Sequence, residues 1–168
     1  MLTRRLVITL AAIICSLPAN AAEVVFIERS DNVISMLETL ELAGRSIGSE
    51  HCMSPKVSQK KADDNPNNLV ETVVCPKLEV GTYITTHTNP PTRILSWVYL
   101  RDPQQKLPHG FKVGVIRAFI ESKLGKPNLE EGNLITYYVP SEGPGDSGVH
   151  FRFKKNQVDQ ISWGFFFE

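Results

Sequence analysis

Hydrophobic and polar positions follow helical spacing in residues 114–124. The apolar side chains there recur at steps of three and four residues, and charged side chains fall between them. These apolar positions are Val115, Ile116, Phe119, Ile120 and Leu124. Gly125 can close a helix in a left-handed conformation, and Pro127 cannot continue one. The pattern predicts a short helix at 114–124 that stops at Gly125.

The same spacing predicts a helix nearer the start of the chain. Ser30 or Asp31 can cap its first turn, because their side-chain oxygens accept hydrogen bonds from free backbone amides. The apolar face of this helix consists of Val33, Met36, Leu37, Leu40 and Ala43. Gly44 follows that face and is the predicted end of the helix.

Alternating and β-branched segments predict strands in most of the remaining chain. The predicted strands are 70–74, 78–86, 92–100, 134–139, 149–153 and 160–167. Consecutive prolines in 88–91 cannot donate to a ladder of hydrogen bonds, so the two strands that flank them form a hairpin. A second hairpin turns at 154–156.

Two similar segments lie in the last predicted strands of the two halves. Residues 95–99 contain Trp97, and residues 161–165 contain Trp163, each preceded by serine. Period-two alternation puts Leu95, Trp97 and Tyr99 on one face of the sheet, and it puts Ile161, Trp163, Phe165 and Phe167 on the equivalent face. We expect Trp163 and Phe165 to be buried in the core.

The first twenty-one residues predict a signal peptide. Arg4 and Arg5 precede an apolar run at 6–17, and Ala19-Asn20-Ala21 is typical of a signal-peptidase site. Cleavage after Ala21 leaves a single domain at 22–168, with half-repeats at about 30–100 and 110–168, in the periplasm or secreted. No later segment has eighteen consecutive apolar residues, so no membrane span is predicted.

Charge and cysteine content narrow the range of partners. Without Arg4 and Arg5 the chain has sixteen basic and eighteen acidic residues, which gives no electrostatic footprint for nucleic acid. Cys52 and Cys75 remain after cleavage, and an isolated pair in an oxidising compartment is most simply a disulfide. A metal or redox site is the alternative, but the chain has no CxxC motif. The sequence predicts neither a metal nor a cofactor.

Residues 110–167 resemble a pattern of small bacterial envelope proteins. Gly114-Val115-Ile116, Ile120 and Leu124-Gly125-Lys126-Pro127 stand where that pattern has Gly-Met-Thr/Ser, an aliphatic residue and Leu-Gly-x-Pro. Residues 47–52 resemble a helix end that leads into a disulfide cysteine. The pattern occurs in the SmpA/OmlA lipoproteins of outer-membrane assembly and in the repeats of the β-lactamase-inhibitor protein. The resemblance implies an α+β fold of two loosely repeated halves, each with a helix packed on an antiparallel sheet. It also implies protein binding rather than enzymatic activity.

The sequence contains no recognisable catalytic motif. The four histidines, His51, His87, His109 and His150, are isolated from one another, and HExxH, GxSxG, phosphate-loop and Rossmann glycine motifs are absent. A catalytic triad whose residues are distant in sequence and meet only in the folded protein remains an alternative. We predict that the protein is not an enzyme.

Two segments without an apolar period, 54–68 and 140–148, predict solvated loops. Long loops in compact domains are often functional, although an ordinary solvated loop is the alternative. Tyrosines on strands are further candidates, because a phenol tolerates water at its tip. The candidate partner-binding residues are Asp63, Asp64, Tyr83, Tyr99, Tyr137, Glu142, Asp146 and Ser147.

These features predict an exported protein-binding module, an inhibitor or immunity protein that occludes an envelope or secreted hydrolase or a toxin. Loops near Asp64 and Asp146, together with an aromatic sheet patch, would block the partner's active site. The alternatives are a structural role in envelope assembly and carriage of a small molecule between helix and sheet. Bulky Ile14 before Cys15 does not fit a lipoprotein signal, which argues against the assembly role.

Overall fold

The computed structural model describes residues 27–49, 52, 54–139 and 147–165. In this part of the chain, helices and antiparallel strands form an α+β fold, as the sequence predicts. The elements are α1 (Asp31–Gly48), β1 (Lys56–Lys61), β2 (Leu69–Val74), β3 (Leu78–Thr85), β4 (Thr92–Leu100), a 3₁₀ turn (Pro108–Gly110), α2 (Arg117–Leu124), β5 (Leu129–Glu131), β6 (Leu134–Val139), β7 (Ser147–Lys154) and β8 (Gln157–Gly164).

All eight of these strands belong to one antiparallel sheet with the order β1-β2-β3-β4-β8-β7-β6-β5. Each half of the chain therefore contributes one α-helix followed by four strands. The final strands of the two halves pair with each other, from Trp97 opposite Gly164 to Leu100 opposite Ile161. The two halves share a single sheet rather than forming two.

Helix α1 packs across the centre of this sheet, against β4, β6, β7 and β8. Trp163 of β8 lies beneath the helix with 1% of its surface exposed, and its Nε1 donates a hydrogen bond to the carbonyl oxygen of Leu40 at 2.9 Å. A Cβ on Gly44 would lie 2.6 Å from the indole. The predicted end at Gly44 is therefore wrong: this glycine allows close helix-to-sheet packing, and α1 continues to Gly48.

Helix α2 is shorter than the prediction of 114–124. Gly114 and Val115 instead exchange backbone hydrogen bonds with Val158 of β8, and Gly114 has a φ of 98°. The helix begins after Ile116, which makes no side-chain capping bond because it has no polar atom. Its predicted end is confirmed, since Gly125 has a φ of 73°.

The two tryptophans do not share a face of the sheet. Trp163 lies opposite Val98, and residues directly opposite each other project to the same side. Trp97, the neighbour of Val98, therefore projects to the other side. Leu95 does not share the face of Trp97 either. Ser96 is an extra, bulged residue of β4 between Leu95 and Trp97, which pair with consecutive residues of β3. The expected equivalence of Trp97 and Trp163 is wrong.

The predicted loop at 54–68 is also wrong in part, because it contains strand β1. All six residues of β1 are exposed. A strand that is solvated on both faces needs no alternation of apolar and polar residues, so its sequence looks like a loop. The short strand β5 was also missed, because only one of its three residues, Leu129, is apolar. The turn that joins β1 to β2 is restricted to 62–68.

The Cys52–Cys75 disulfide is present, as predicted, and joins residues just beyond the ends of α1 and β2. Within the described ranges, neither α-helix combines the length and the hydropathy that crossing a membrane requires.

Candidate functional site

Both helices pack on the face of the sheet that carries Val98, Trp163 and Tyr137. In the described part of the chain no helix covers the opposite face, which we call the open face. The register places two rows of side chains across it. One row is Trp97, Gly164, Gly148 and Tyr138, and the adjacent row is Tyr99, Ser162, His150 and Thr136.

The turn between β1 and β2, which we call the acidic turn (62–68), presents Asp63 and Asp64. Its geometry is fixed by Asn68, which is 5% exposed. The Asn68 amide donates to the Tyr83 hydroxyl at 2.9 Å and accepts from the Thr86 amide at 3.1 Å. The Tyr83 hydroxyl in turn donates to Asp64 Oδ2 at 2.8 Å. The fold thus brings together two of the predicted candidates, Asp64 and Tyr83.

Asp63 is presented to solvent by the acidic turn. Its side chain is 94% exposed, and its carboxylate lies 3.4 Å from the ammonium group of Lys60. An exposed pair of this kind contributes little to stability, about 0–1 kcal/mol. The carboxylate is therefore available for a contact outside the chain. No sequence signal pointed to Asn68, the residue that holds the turn in shape.

The second predicted loop lies mostly outside the described residues, which include neither Glu142 nor Asp146. The strands that flank it are described, and they end on the same side of the sheet as the acidic turn, because antiparallel order places the ends of β1, β3, β6 and β8 together. The prediction that Ser147 lies in a solvated loop is wrong. This serine is the first residue of β7 and is 8% exposed, since it pairs with Val139 instead of extending into solvent.

The prediction for Tyr137 is also wrong. We expected an exposed phenol, but Tyr137 is 0% exposed and faces the helices, where its hydroxyl donates to the carbonyl oxygen of Gly125 at 2.9 Å. The guanidinium of Arg29 lies 5.1 Å from its ring centre. Tyr99 is partly exposed on the open face, and the Arg101 guanidinium lies 5.9 Å from the centre of its ring.

A groove of about 350 Å³, which we call the open-face groove, lies over the junction of β4 with β8 and β7. Both aromatic and polar side chains line it. Its lining includes Trp97, Tyr99, His150, Arg152, Gln160 and Ser162. The sequence indicated the aromatic residues of β4, but the polar residues reach the groove only through the pairing of β4 with β8.

His150 lies at the floor of this groove, above two glycines. A Cβ on Gly148 would lie 3.1 Å from its Nε2, and a Cβ on Gly164 would lie 3.6 Å away. The other ring nitrogen, Nδ1, forms a hydrogen bond of 2.9 Å with the Thr136 hydroxyl. Burial lowers the pKa of the His150 imidazole from its ordinary value of 6.5.

The lowered pKa of His150 predicts a pH-dependent stability. At pH values between the lowered pKa of His150 in the folded protein and 6.5, the imidazole is more often protonated in the unfolded chain than in the folded one. The free energy of unfolding therefore rises with pH across this range. We expect the loss of stability between pH 8 and pH 5, measured by urea unfolding, to be smaller in His150→Gln than in the unmodified protein. His87→Gln, an exposed position, is the control and should leave the loss unchanged. Equal losses in both variants would contradict the role of His150.

A second cavity, of about 400 Å³, lies between the end of α1 and strands β2 to β4. Its lining includes both cysteines of the disulfide and the Arg93–Glu71 ion pair. It lies between a helix and the sheet, where the alternative function, carriage of a small molecule, would require a pocket.

Among the residues that the structure describes, no group of three His, Cys, Asp or Glu side chains could hold a metal ion. No hydrogen bond joins His150 to Ser162, its neighbour across the strands, within the same residues. These two side chains therefore do not form a nucleophile and base pair in this geometry.

No family model, no curated protein and no solved structure matches the chain.

Proposed function

We propose that the mature chain is an exported protein-binding module that uses the acidic turn to block an envelope or secreted hydrolase or a toxin. The observation that carries this function is the fixed shape of the turn, in which Asn68 and Tyr83 hold Asp64 while Asp63 faces solvent. The predicted signal peptide and the disulfide support export.

The position of the turn suits insertion into a cleft. Among the described residues, the Thr92–Leu95 segment of β4 pairs with β3 alone, beyond the last contacts of β4 with β8, and the end of the β1–β2 hairpin lies level with Arg93 in this segment. A projecting turn whose side chains are already ordered loses less conformational entropy on binding than a flexible loop. Carboxylates at its tip would meet polar or cationic groups of the partner.

The order of elements is compatible with the resemblance to the β-lactamase-inhibitor repeats that the sequence suggests. In both halves a helix precedes four antiparallel strands, and the final strands meet at the centre of the sheet. The resemblance implies protein binding, and occlusion of a partner is the form of binding proposed for this chain.

The partner can be identified by site-specific crosslinking. A photoreactive phenylalanine analogue in place of Asn67, an exposed residue of the acidic turn, should link the mature protein to its partner in envelope extract and keeps both carboxylates. The same analogue at Leu42, which is 67% exposed on α1, is the control and should not. Equal labelling from both positions, or labelling of an outer-membrane barrel, would oppose the inhibitor role, and the barrel would favour envelope assembly.

Alanine at Asp63 and Asp64 together is expected to weaken binding of the crosslinked partner by at least about tenfold, which corresponds to about 1.4 kcal/mol. Tyr83→Phe keeps both carboxylates but removes a hydrogen bond to Asp64, so it should weaken binding to a smaller degree. Isothermal titration calorimetry with purified partner measures both effects. Glu38→Ala, on the exposed side of α1, is the matched control for loss of negative charge. Unchanged affinity in the double variant would rule out the acidic turn.

A further inference from the structure

We propose that the open-face groove binds a neutral saccharide through stacking of a pyranose ring on Trp97 and Tyr99. This site lies on a different part of the sheet from the acidic turn and does not depend on the function proposed for that turn. The inference rests on the aromatic surface, on the polar groups beside it and on the charge balance of the groove.

The aromatic surface is formed by Trp97 and Tyr99, alternate residues of β4 on the same face, separated by roughly 7 Å along the strand. The indole of Trp97 lies over Gly81 of β3, since a Cβ at that position would come within 2.0–2.2 Å of three ring atoms. A glycine at this position lets the ring rest on the backbone of the neighbouring strand. The faces of aromatic rings are negative, and they attract the weakly positive C–H groups of a sugar ring.

Trp97 also has a feature that packing alone does not explain. Its Nε1 is buried and has no hydrogen-bond partner among the described residues. An unsatisfied buried donor costs about 1–3 kcal/mol, and phenylalanine would avoid that cost. A function for the indole ring accounts for tryptophan at this position.

Polar groups of the groove lie next to the aromatic rings. Ser162 is adjacent to Tyr99 across the strands, and Gln160 accepts a hydrogen bond from Arg101 Nε at 2.9 Å through its Oε1, which leaves its amide nitrogen as a donor. His150 offers Nε2, which can donate or accept according to the tautomer. Such closely spaced donors and acceptors match the hydroxyl groups of a sugar.

The charges in the groove are balanced, which favours a neutral ligand over an ionic one. Arg152 donates to both carboxylate oxygens of Asp159, at 2.9 and 3.0 Å. Arg101 lies 3.7 Å from the carboxylate of Glu79. The volume of about 350 Å³ is at the lower end of the range for small-ligand pockets, about 300–1,000 Å³, and suits one or two pyranose rings.

Nuclear magnetic resonance of the two indole N–H groups tests this site in the mature protein. The probes are triacetylchitotriose, cellotriose and maltotriose, each at up to about 10 mM. We expect at least one of them to shift the Trp97 indole resonance, which Trp97→Phe identifies by its loss. The Trp163 resonance serves as an internal control, because that group is buried and bonded to Leu40.

Substitutions then locate the binding. Trp97→Ala and Tyr99→Ala should each weaken the affinity at least about tenfold, titrated through the backbone amide resonance of Ser162 because Trp97→Ala lacks the indole N–H. Ser58→Ala, on the same face but on β1, should leave it unchanged. The proposal is overturned if none of the three saccharides shifts the Trp97 resonance, or if both alanine variants bind as the unmodified protein does. A shift produced only by a decaproline peptide would also overturn it and would assign the groove to an extended protein segment.

Discussion

Replacement of Trp163 by alanine is expected to lower the free energy of unfolding by about 4 kcal/mol, the middle of the range for a buried aromatic side chain. Trp163 is 1% exposed, packs against Gly44 and donates its indole N–H to Leu40. The substitution therefore leaves a cavity beneath α1 and removes the indole hydrogen bond to the Leu40 carbonyl oxygen. Urea unfolding of the mature, oxidised protein, followed by circular dichroism, measures the change.

Trp97→Ala is the matched comparison, since it removes the same side chain from the opposite face of the neighbouring strand. We expect a loss of about 1 kcal/mol, because the ring is partly exposed and its unpaired N–H is removed with it. If Trp163→Ala does not fold, Trp163→Phe keeps the comparison measurable and should cost about 1–3 kcal/mol through the lost hydrogen bond and reduced packing. Equal losses at positions 97 and 163 would contradict the assignment of the two rings to opposite faces.

Local patterns predicted the elements whose environment is asymmetric. Strands β4 and β6 have the predicted bounds, and α2 ends where Gly125 and Pro127 indicate. In each case apolar side chains recur on the face that packs against the helices, or a residue with a special backbone conformation marks the end. Such information is contained in a few consecutive residues, so it can be read from the chain alone.

Features that depend on distant parts of the chain could not be predicted in this way. The extra residue Ser96 in β4 is defined by its pairing with β3, and it reverses which side chains share a face. Gly44 looks like a helix stop until Trp163, more than a hundred residues away, is found beside it. Burial of Tyr137 likewise results from the packing of the helices on β6.

The same distinction between local and distant information applies to the candidate sites. Asp63, Asp64 and Tyr83 were predicted from composition, because a charged segment and a strand tyrosine are visible in sequence. The open-face groove was not, because its polar lining on β7 and β8 meets Trp97 and Tyr99 only through the junction of the two halves. The residue that fixes the acidic turn, Asn68, resembles any other asparagine before a strand.

Removal of the disulfide by Cys52→Ala and Cys75→Ala together is expected to lower the free energy of unfolding by about 3 kcal/mol, from the entropy of closing a loop across a separation of 23 residues. The larger consequence is local. The disulfide ties the end of α1 to the end of β2, while β1 is exposed on both faces and has little other tertiary packing. We therefore expect hydrogen exchange, measured by mass spectrometry, to accelerate more in β1 and β2 than in β6 and β7.

That difference links the disulfide to the proposed function, because the hairpin it anchors carries the acidic turn. We expect the variant without the disulfide to bind the partner more weakly while the rest of the domain stays folded. Hydrogen-exchange protection of β6 and β7 should therefore be retained when the affinity decreases. Ser49→Ala, next to the end of α1, is the control for changes at that position without loss of the crosslink. Uniform acceleration of exchange across the sheet would show that the disulfide stabilises the whole domain equally and does not specifically hold the turn in place.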